Sequence, residues 1–356
     1  MKKIIAFVLS VSLLLTGCAG SSKTASSGES KNNTLKLFIW GEYLGTDVIS
    51  NFEDEYDAKV IIEYFDSNEM MYTKFQAGDS YDILVPSDYM IERLIKEDLL
   101  QPLNKEEIPN LTSLRDAFKG LSYDPDNTYS VPYFGGSVGI TYNKNEVPLS
   151  LLEKEGFSIM KNTDYKGKIY MYDSERDSFM IALKALGYSV NTENEDEINE
   201  AYGWLKELND TMDPIYVTDE VIDNMLNGAK DMAIMYSGDA AYVISENEDM
   251  GYYTPLEGTN IWTDAMVIPA NAENPELANK FINYMLTYDA AYDNTETVGY
   301  TTMNKEVFDE ITGKGGIFED NEAYVPREGY DKDEIFHDNE NLRKIISELW
   351  IKVKAS

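Results

Sequence analysis

A chain of 356 residues with 43% hydrophobic residues carries enough apolar material for two domains and a sizeable core, which excludes a disordered polymer. Its 64 acidic residues outweigh 30 basic ones, giving a formal net charge of -34, and a surface of that sign repels phosphate; nucleic acid and anionic lipid are excluded as partners. One cysteine, one histidine and no Gly-rich phosphate loop remove disulfides, a thiolate metal cage and most nucleophilic, metal- or nucleotide-dependent enzyme mechanisms, so neither metal nor cofactor is expected.

The chain begins Met1-Lys2-Lys3 followed by the apolar run Ile4 to Leu15, a signal-peptide pattern over residues 1–17 that is too short and wrongly flanked for a stable membrane span. From Ala19 to Asn33 the residues are mostly Ser, Gly, Lys, Thr and Asn with nothing to bury, which predicts a flexible tether over 18–33. The first apolar strand, Leu35 to Trp40, is broken by Gly41 and runs out into Glu42 and Tyr43. Two aromatic faces and a carboxylate at the carboxyl end of a strand suit an organic cation, because the ring quadrupole attracts an ammonium and the carboxylate accepts a charge-assisted hydrogen bond.

Val48, Ile49, Phe52 and Tyr56 recur at helical spacing, and Lys59 to Phe65 reads as the next strand. Strand, helix and strand in that order predict a parallel sheet. A short helix is expected over Glu69 to Gln76, a strand over Tyr81 to Val85, and an amphipathic helix over Met90 to Leu100, which places Ser87 and Tyr89 at a second strand-to-helix corner. After the turn Asp124-Pro125-Asp126-Asn127, Tyr129 to Tyr133 and Val138 to Tyr142 read as two extended segments around Gly135-Gly136, either a hinge or a static turn.

The middle third reads as a second α/β unit. A strand over Lys168 to Tyr172 precedes a helix over Phe179 to Leu186 that Gly187 stops, and Ile198, Ala201, Tyr202, Leu205 and Leu208 mark a long amphipathic helix. Val221 to Leu226 is a further helix, Asp231 to Tyr236 a further strand, and residues 262–269 cross back to the first unit ahead of a helix opened by Asn274-Pro275. An acidic loop near 313–333 leads to a terminal helix carrying Leu342, Ile345, Ile346, Leu349 and Trp350.

Ile39-Trp40-Gly41-Glu42-Tyr43 resembles the first ligand-contacting segment of the bacterial spermidine/putrescine-binding proteins, the receptors of polyamine ABC importers. Phe65-Asp66-Ser67-Asn68-Glu69-Met70-Met71-Tyr72, Val85-Pro86-Ser87-Asp88-Tyr89, Val131-Pro132-Tyr133, Trp262-Thr263-Asp264 and Gly299-Tyr300-Thr301 match in the same order, so the resemblance spans nearly the whole chain after residue 34. It implies a two-lobed periplasmic-binding-protein fold of the type II-like kind, with mixed sheets flanked by helices and a ligand cleft between lobes. The expected lobes are 34–137 plus 265–308 and 138–264 plus 309–356. Leu15-Thr16-Gly17-Cys18 is similar to the bacterial lipobox, which implies a lipid on Cys18 and anchoring at the extracytoplasmic membrane face, more in the manner of a Gram-positive surface than of a periplasm.

Carried over residue by residue, the resemblance implies ligand contacts from Trp40, Glu42, Tyr43, Ser87 and Tyr89 in the first lobe, completed by Asp173, Asp177, Tyr236, Trp262, Asp264 and Tyr300. Tyr236 stands where the family commonly has tryptophan. In Asp173-Ser174-Glu175-Arg176-Asp177 the family's acidic pair falls on Ser174 and Asp177, or on Asp173 after a one-residue shift, and the two alternatives stay open. His337 falls near a family glutamine that contacts ligand. The implied function is a monomeric receptor that hands spermidine or putrescine to the permease and ATPase of an importer, rather than an enzyme. A receptor for another organic cation or a sugar is the alternative; a paired-carboxylate glycosidase is disfavoured because no acid and nucleophile can be assigned.

Overall fold

The computed structural model describes residues 33–355. The expected signal peptide, Cys18 and the tether up to residue 32 lie outside the described residues.

The first unit opens with β1 (Thr34–Trp40), α1 (Val48–Tyr56), β2 (Lys59–Phe65), α2 (Asn68–Gln76), β3 (Ile83–Leu84) and α3 (Asp88–Lys96). β1 pairs in parallel with β2 on one side and β3 on the other, as strands joined through crossover helices must. Its alternate residues feed two cores: Leu35, Leu37 and Ile39 point into one, Phe38 into the other.

The chain continues through β4 (Ser130–Asn143), α4 (Leu149–Glu155), β5 (Ile169–Tyr172), α5 (Glu175–Leu186), α6 (Glu195–Met212), β6 (Ile215–Val217), α7 (Glu220–Leu226), β7 (Met232–Tyr236), α8 (Ser237–Glu246) and β8 (Met250–Tyr253). It then forms β9 (Ile261–Val267), α9 (Pro275–Met285), α10 (Tyr288–Val298), β10 (Thr301–Thr302), α11 (Lys305–Thr312) and α12 (Glu340–Lys354). The strands lie in the order β2-β1-β3-β9-β4-β7-β5-β6, with β10 and β8 added on β4. This is the mixed α/β architecture expected from the sequence.

β4 organises the whole. Its first half, from Ser130 to Ser137, runs antiparallel to β9 and β10, and its second half, from Val138 to Asn143, runs antiparallel to β7 and β8. The two extended segments expected around Gly135-Gly136 are therefore one strand of 14 residues, and the glycines are not a turn. Their role is close approach: a Cβ on Gly136 would stand 2.6 Å from Ser237 Oγ and 2.8 Å from the Trp262 indole, so only a bare backbone lets that ring lie on the strand.

The residues from 313 to 339 contain no helix or strand, yet they are packed down: Tyr324 is fully buried and stacks on Phe318 at 4.0 Å. α12 packs on α5 and α6, with Trp350 edge-on to Tyr216 of β6 at 5.3 Å.

Candidate functional site

Where the two halves of the sheet meet, strand ends and helix starts bring together aspartates and aromatic rings. Asp264 sits inside β9, its backbone bridged to Ser87, the N-cap of α3. It is 4% exposed; Oδ2 accepts the Tyr43 hydroxyl at 2.7 Å, while Oδ1 is buried with no hydrogen-bond partner among the described residues. Burial pushes its carboxyl up to about 6, and the hydroxyls of Ser87 and Tyr43 pull the other way. A buried oxygen of this kind costs free energy until a donor reaches it.

Asp177 lies in the first turn of α5. Ser174 caps that helix and its hydroxyl donates to Asp177 Oδ2 at 2.7 Å; Tyr236, at the end of β7, donates to the same oxygen at 2.6 Å. Burial raises this carboxyl as well, against the two hydroxyl hydrogen bonds. The structure thus brings Asp177, not Asp173, against the aromatic cluster. Asp173 precedes the cap, its side chain 42% exposed and ion-paired with Lys354 of α12 at 2.8 Å.

A third carboxylate, absent from the sequence-based set, stands between these two. Asp239 in the first turn of α8 accepts the hydroxyls of Tyr172 and Tyr300, both at 2.9 Å, and burial pushes it up to about 6. Its signal in the sequence was faint: α8 follows β7 with no linker, so Tyr236-Ser237-Gly238-Asp239 does not announce a strand-to-helix corner. Gly238 is required there, since a Cβ would overlap the Tyr300 ring.

The rings form a continuous row. Tyr43 meets Tyr300 at 5.8 Å, Tyr300 meets Trp262 at 5.1 Å, Trp262 meets Tyr236 at 6.0 Å, and Tyr236 lies over Tyr172 at 4.5 Å. Each phenol donates its proton to a carboxylate or, for Tyr236, also receives order from Tyr172, whose hydroxyl accepts the Tyr236 amide at 3.1 Å. The ring faces are left for something apolar or cationic. Tyr236, Asp239 and Tyr300 are only partly buried, so the row is open to solvent.

The remaining sequence-derived residues are more dispersed. Trp40 packs on Phe65 at 4.5 Å with its indole N–H buried and without an acceptor, and Glu42 is exposed on a left-handed turn with φ 51°. Tyr89 is buried, donates to Glu69 at 3.1 Å, and carries the Arg176 guanidinium on its face. The His337 side chain is 44% exposed and meets Glu92 of α3 at 3.3 Å, apart from the aspartate row. Among the described residues no group of three or more His, Cys, Asp or Glu is arranged to hold a metal, and no helix is long and apolar enough to cross a membrane.

Comparison with known proteins gives a consistent result. The spermidine/putrescine-binding periplasmic protein of Escherichia coli K12 is 33% identical over 295 residues, covering 82% of this chain and 83% of its own. The putrescine-binding periplasmic protein PotF of the same strain is 28% identical over 324 residues, covering 84% and 87%. Among solved structures, the spermidine/putrescine ABC transporter substrate-binding protein PotD of Streptococcus pneumoniae superposes with a TM-score of 0.77 at 33% identity, over 91% of this chain and 99% of that one. Iron-bound HitA of Pseudomonas aeruginosa, at 15% identity and TM-score 0.64 over 90% of this chain and 99% of that one, shares the fold. The fold is that of the periplasmic binding proteins. The profile of the bacterial extracellular solute-binding proteins matches residues 47–323, and the chain belongs to that family.

Proposed function

We propose that this protein is an extracytoplasmic receptor that binds a polyamine, spermidine or putrescine, and delivers it to an ABC importer. The observation that carries the reading is the buried, unpartnered Oδ1 of Asp264 beside a row of aromatic faces. An ammonium supplies the missing donor, and the rings cover the methylene stem. Asp264 takes one amine, Asp177 and Asp239 the others, and Trp262, Tyr236 and Tyr300 form the walls. Tyr43 and Ser87 hold Asp264 in place, while Trp40, Glu42 and Tyr89 line the approach from the first lobe. Asp173 and His337 take no direct part in this reading. The names of the relatives, which bind spermidine, putrescine or both, support it. A lining of carboxylates and phenols suits a cation better than a sugar or an anion.

The lobes in this reading are residues 34–137 plus 265–308 and 138–264 plus 309–356, with β4 and β9 at the crossing. Closure about Gly135-Gly136 would bring them onto the ligand. The body acts as a monomer, tethered through a lipid on Cys18 to the outer face of the membrane, in the manner of a Gram-positive surface lipoprotein. Cys18→Ser would release the protein into the medium, read by immunoblot of cell and supernatant fractions. The central experiment is calorimetric titration with putrescine, spermidine and spermine after denaturing and refolding to strip carried-over ligand. Saturable one-to-one binding supports the receptor; a folded protein that gives no heat with any of the three overturns it.

A further inference from the structure

α2 is capped by Ser67 and opens with Asn68 and Glu69, and neither of these two has a part in the amine-binding reading. Both turn toward the start of α3, where Ser87 and Tyr89 stand. Glu69 accepts the Tyr89 hydroxyl at 3.1 Å. Asn68 is 4% exposed and grips Ser87 at two points: its Oδ1 accepts the Ser87 backbone N–H at 3.1 Å, and its Nδ2 donates to Ser87 Oγ at 3.0 Å. A backbone amide can only donate, so the first bond fixes which end of the Asn68 amide faces which atom.

The direction of the next bond follows. Ser87 Oγ accepts from Asn68, so its own proton is left for another acceptor. The acceptor beside it is Asp264, whose backbone is bridged to that of Ser87; burial pushes the Asp264 carboxyl up, and the Ser87 hydroxyl holds it back. The backbone around Asp264 is secured without Asn68. Thr263 donates its amide to Asp88 Oδ2 at 3.2 Å, and Ala265 donates to the Pro86 carbonyl at 3.0 Å. Asn68 therefore bears on the carboxylate and not on the strand that carries it.

We propose that Asn68 is a positioning residue that acts through Ser87: by donating to Ser87 Oγ it commits the Ser87 proton to Asp264 and keeps that carboxylate ready for an ammonium of the ligand. The proposal deepens the amine-binding reading above and rests on it. Without Asn68 the Ser87 hydroxyl is free to turn its proton away, and Asp264 is left with Tyr43 as its donor. The carboxylate is then harder to ionise, and amine binding fades at a higher pH. The other titratable groups around it are the phenols of Tyr43, Tyr123 and Tyr300, which burial holds above their usual range, and Asp88, which burial pushes up to about 8. Of these only Asp88 titrates near neutrality, and a double-mutant cycle cancels its contribution.

The test is calorimetric titration of the ligand-stripped wild type, Asn68→Ala, Ser87→Ala and the double variant with putrescine and with spermidine, between about pH 6 and about pH 8.5, circular dichroism confirming the fold of each. At about pH 6 Asn68→Ala should weaken amine binding by about fivefold, and the deficit should shrink to within about twofold at about pH 8.5, where Asp264 is ionised with or without its donor. On the Ser87→Ala background Asn68→Ala should cost nothing further at either pH, since the hydroxyl through which Asn68 acts is gone. If Asn68→Ala fails to fold, Asn68→Leu, closer to the native side chain in size and without a donor, takes its place in the same cycle. No deficit, an equal deficit at every pH, or full additivity with Ser87→Ala would overturn the proposal while leaving the receptor reading intact. A wild type that binds neither amine overturns both.

Discussion

The two ends of the aspartate row are built differently. Asp264 stands inside a strand paired on both sides, with β4 along one edge and the β3–Ser87 segment along the other, so its carboxylate is held by the sheet itself. Asp177 stands in the first turn of a helix whose cap, Ser174, is also one of its hydrogen-bond donors, so its place depends on how that helix starts. Asp264 keeps an oxygen without a partner, whereas Asp177 has two hydroxyl donors on one oxygen and Arg176 beside it. The comparison teaches that the first end is a fixed anchor and the second an adjustable one. Affinity should be concentrated at Asp264, whose bare oxygen gains a donor from an ammonium, more than at Asp177, which already has two donors.

The sharpest way to break this division is Asp264→Asn. It should weaken amine binding by roughly 2–5 kcal/mol, the usual loss when one side of a desolvated charge pair is removed, as read by calorimetry. An unchanged affinity would remove Asp264 from the site. Next in size is Gly238→Ala, whose Cβ would overlap the Tyr300 ring and push it from Asp239. A cost of roughly 1–3 kcal/mol in thermal or denaturant unfolding is expected, with weaker amine binding. A stability equal to wild type would show that Tyr300 can shift at no cost.

Acidification probes the Asp264 end and the middle of the row together. Burial has pushed Asp264 and Asp239 up to about 6, and an ammonium needs them ionised. Lowering the pH from about 7.5 to about 5.5 should therefore weaken amine binding on the order of tenfold. The free protein should respond with the opposite sign. A carboxyl whose folded value lies above its unfolded one contributes stability that is fully present below the unfolded value and is lost as pH rises through the folded one. The ligand-free Tm should thus rise over the same descent in pH while the ligand-induced Tm increment shrinks; a pH-independent increment would contradict the role of the two aspartates. The smallest effect is expected for Asp173→Asn. It breaks a half-exposed ion pair with Lys354, worth less than about 1 kcal/mol, and should leave amine affinity unchanged.

Much of the fold could be read from periodicity where the chain alternates strongly between apolar and polar. The strands over Leu35 to Trp40 and Lys59 to Phe65, and the helices carrying Phe52, Leu205 and Leu349, lie where their spacing places them. α8 is hidden in the sequence because it follows β7 at once with no capping side chain to mark its start, and α10, capped by Thr287, because it follows α9 after two residues. The site shows the same division. Trp262-Thr263-Asp264 could be singled out by its resemblance to the polyamine-receptor motif, while Asp239 carried no such mark.

By itself the sequence determined an acidic α/β chain with a parallel strand–helix–strand opening and a small set of aromatics and aspartates at strand ends, because local propensity and side-chain period are properties of neighbouring residues. Only the tertiary structure decided which aspartates converge. Asp173 and Asp177 are four residues apart, and the start of α5 turns one to Lys354 and the other to Tyr236. Gly135-Gly136 reads as a hinge or a turn until Trp262 is seen lying on the bare backbone of Gly136, and Gly238 draws no notice until Tyr300 is seen lying on its own. The pairing of Tyr43 with Asp264 joins residues 221 positions apart, a contact that depends on strand register across the sheet and on no pattern within either segment.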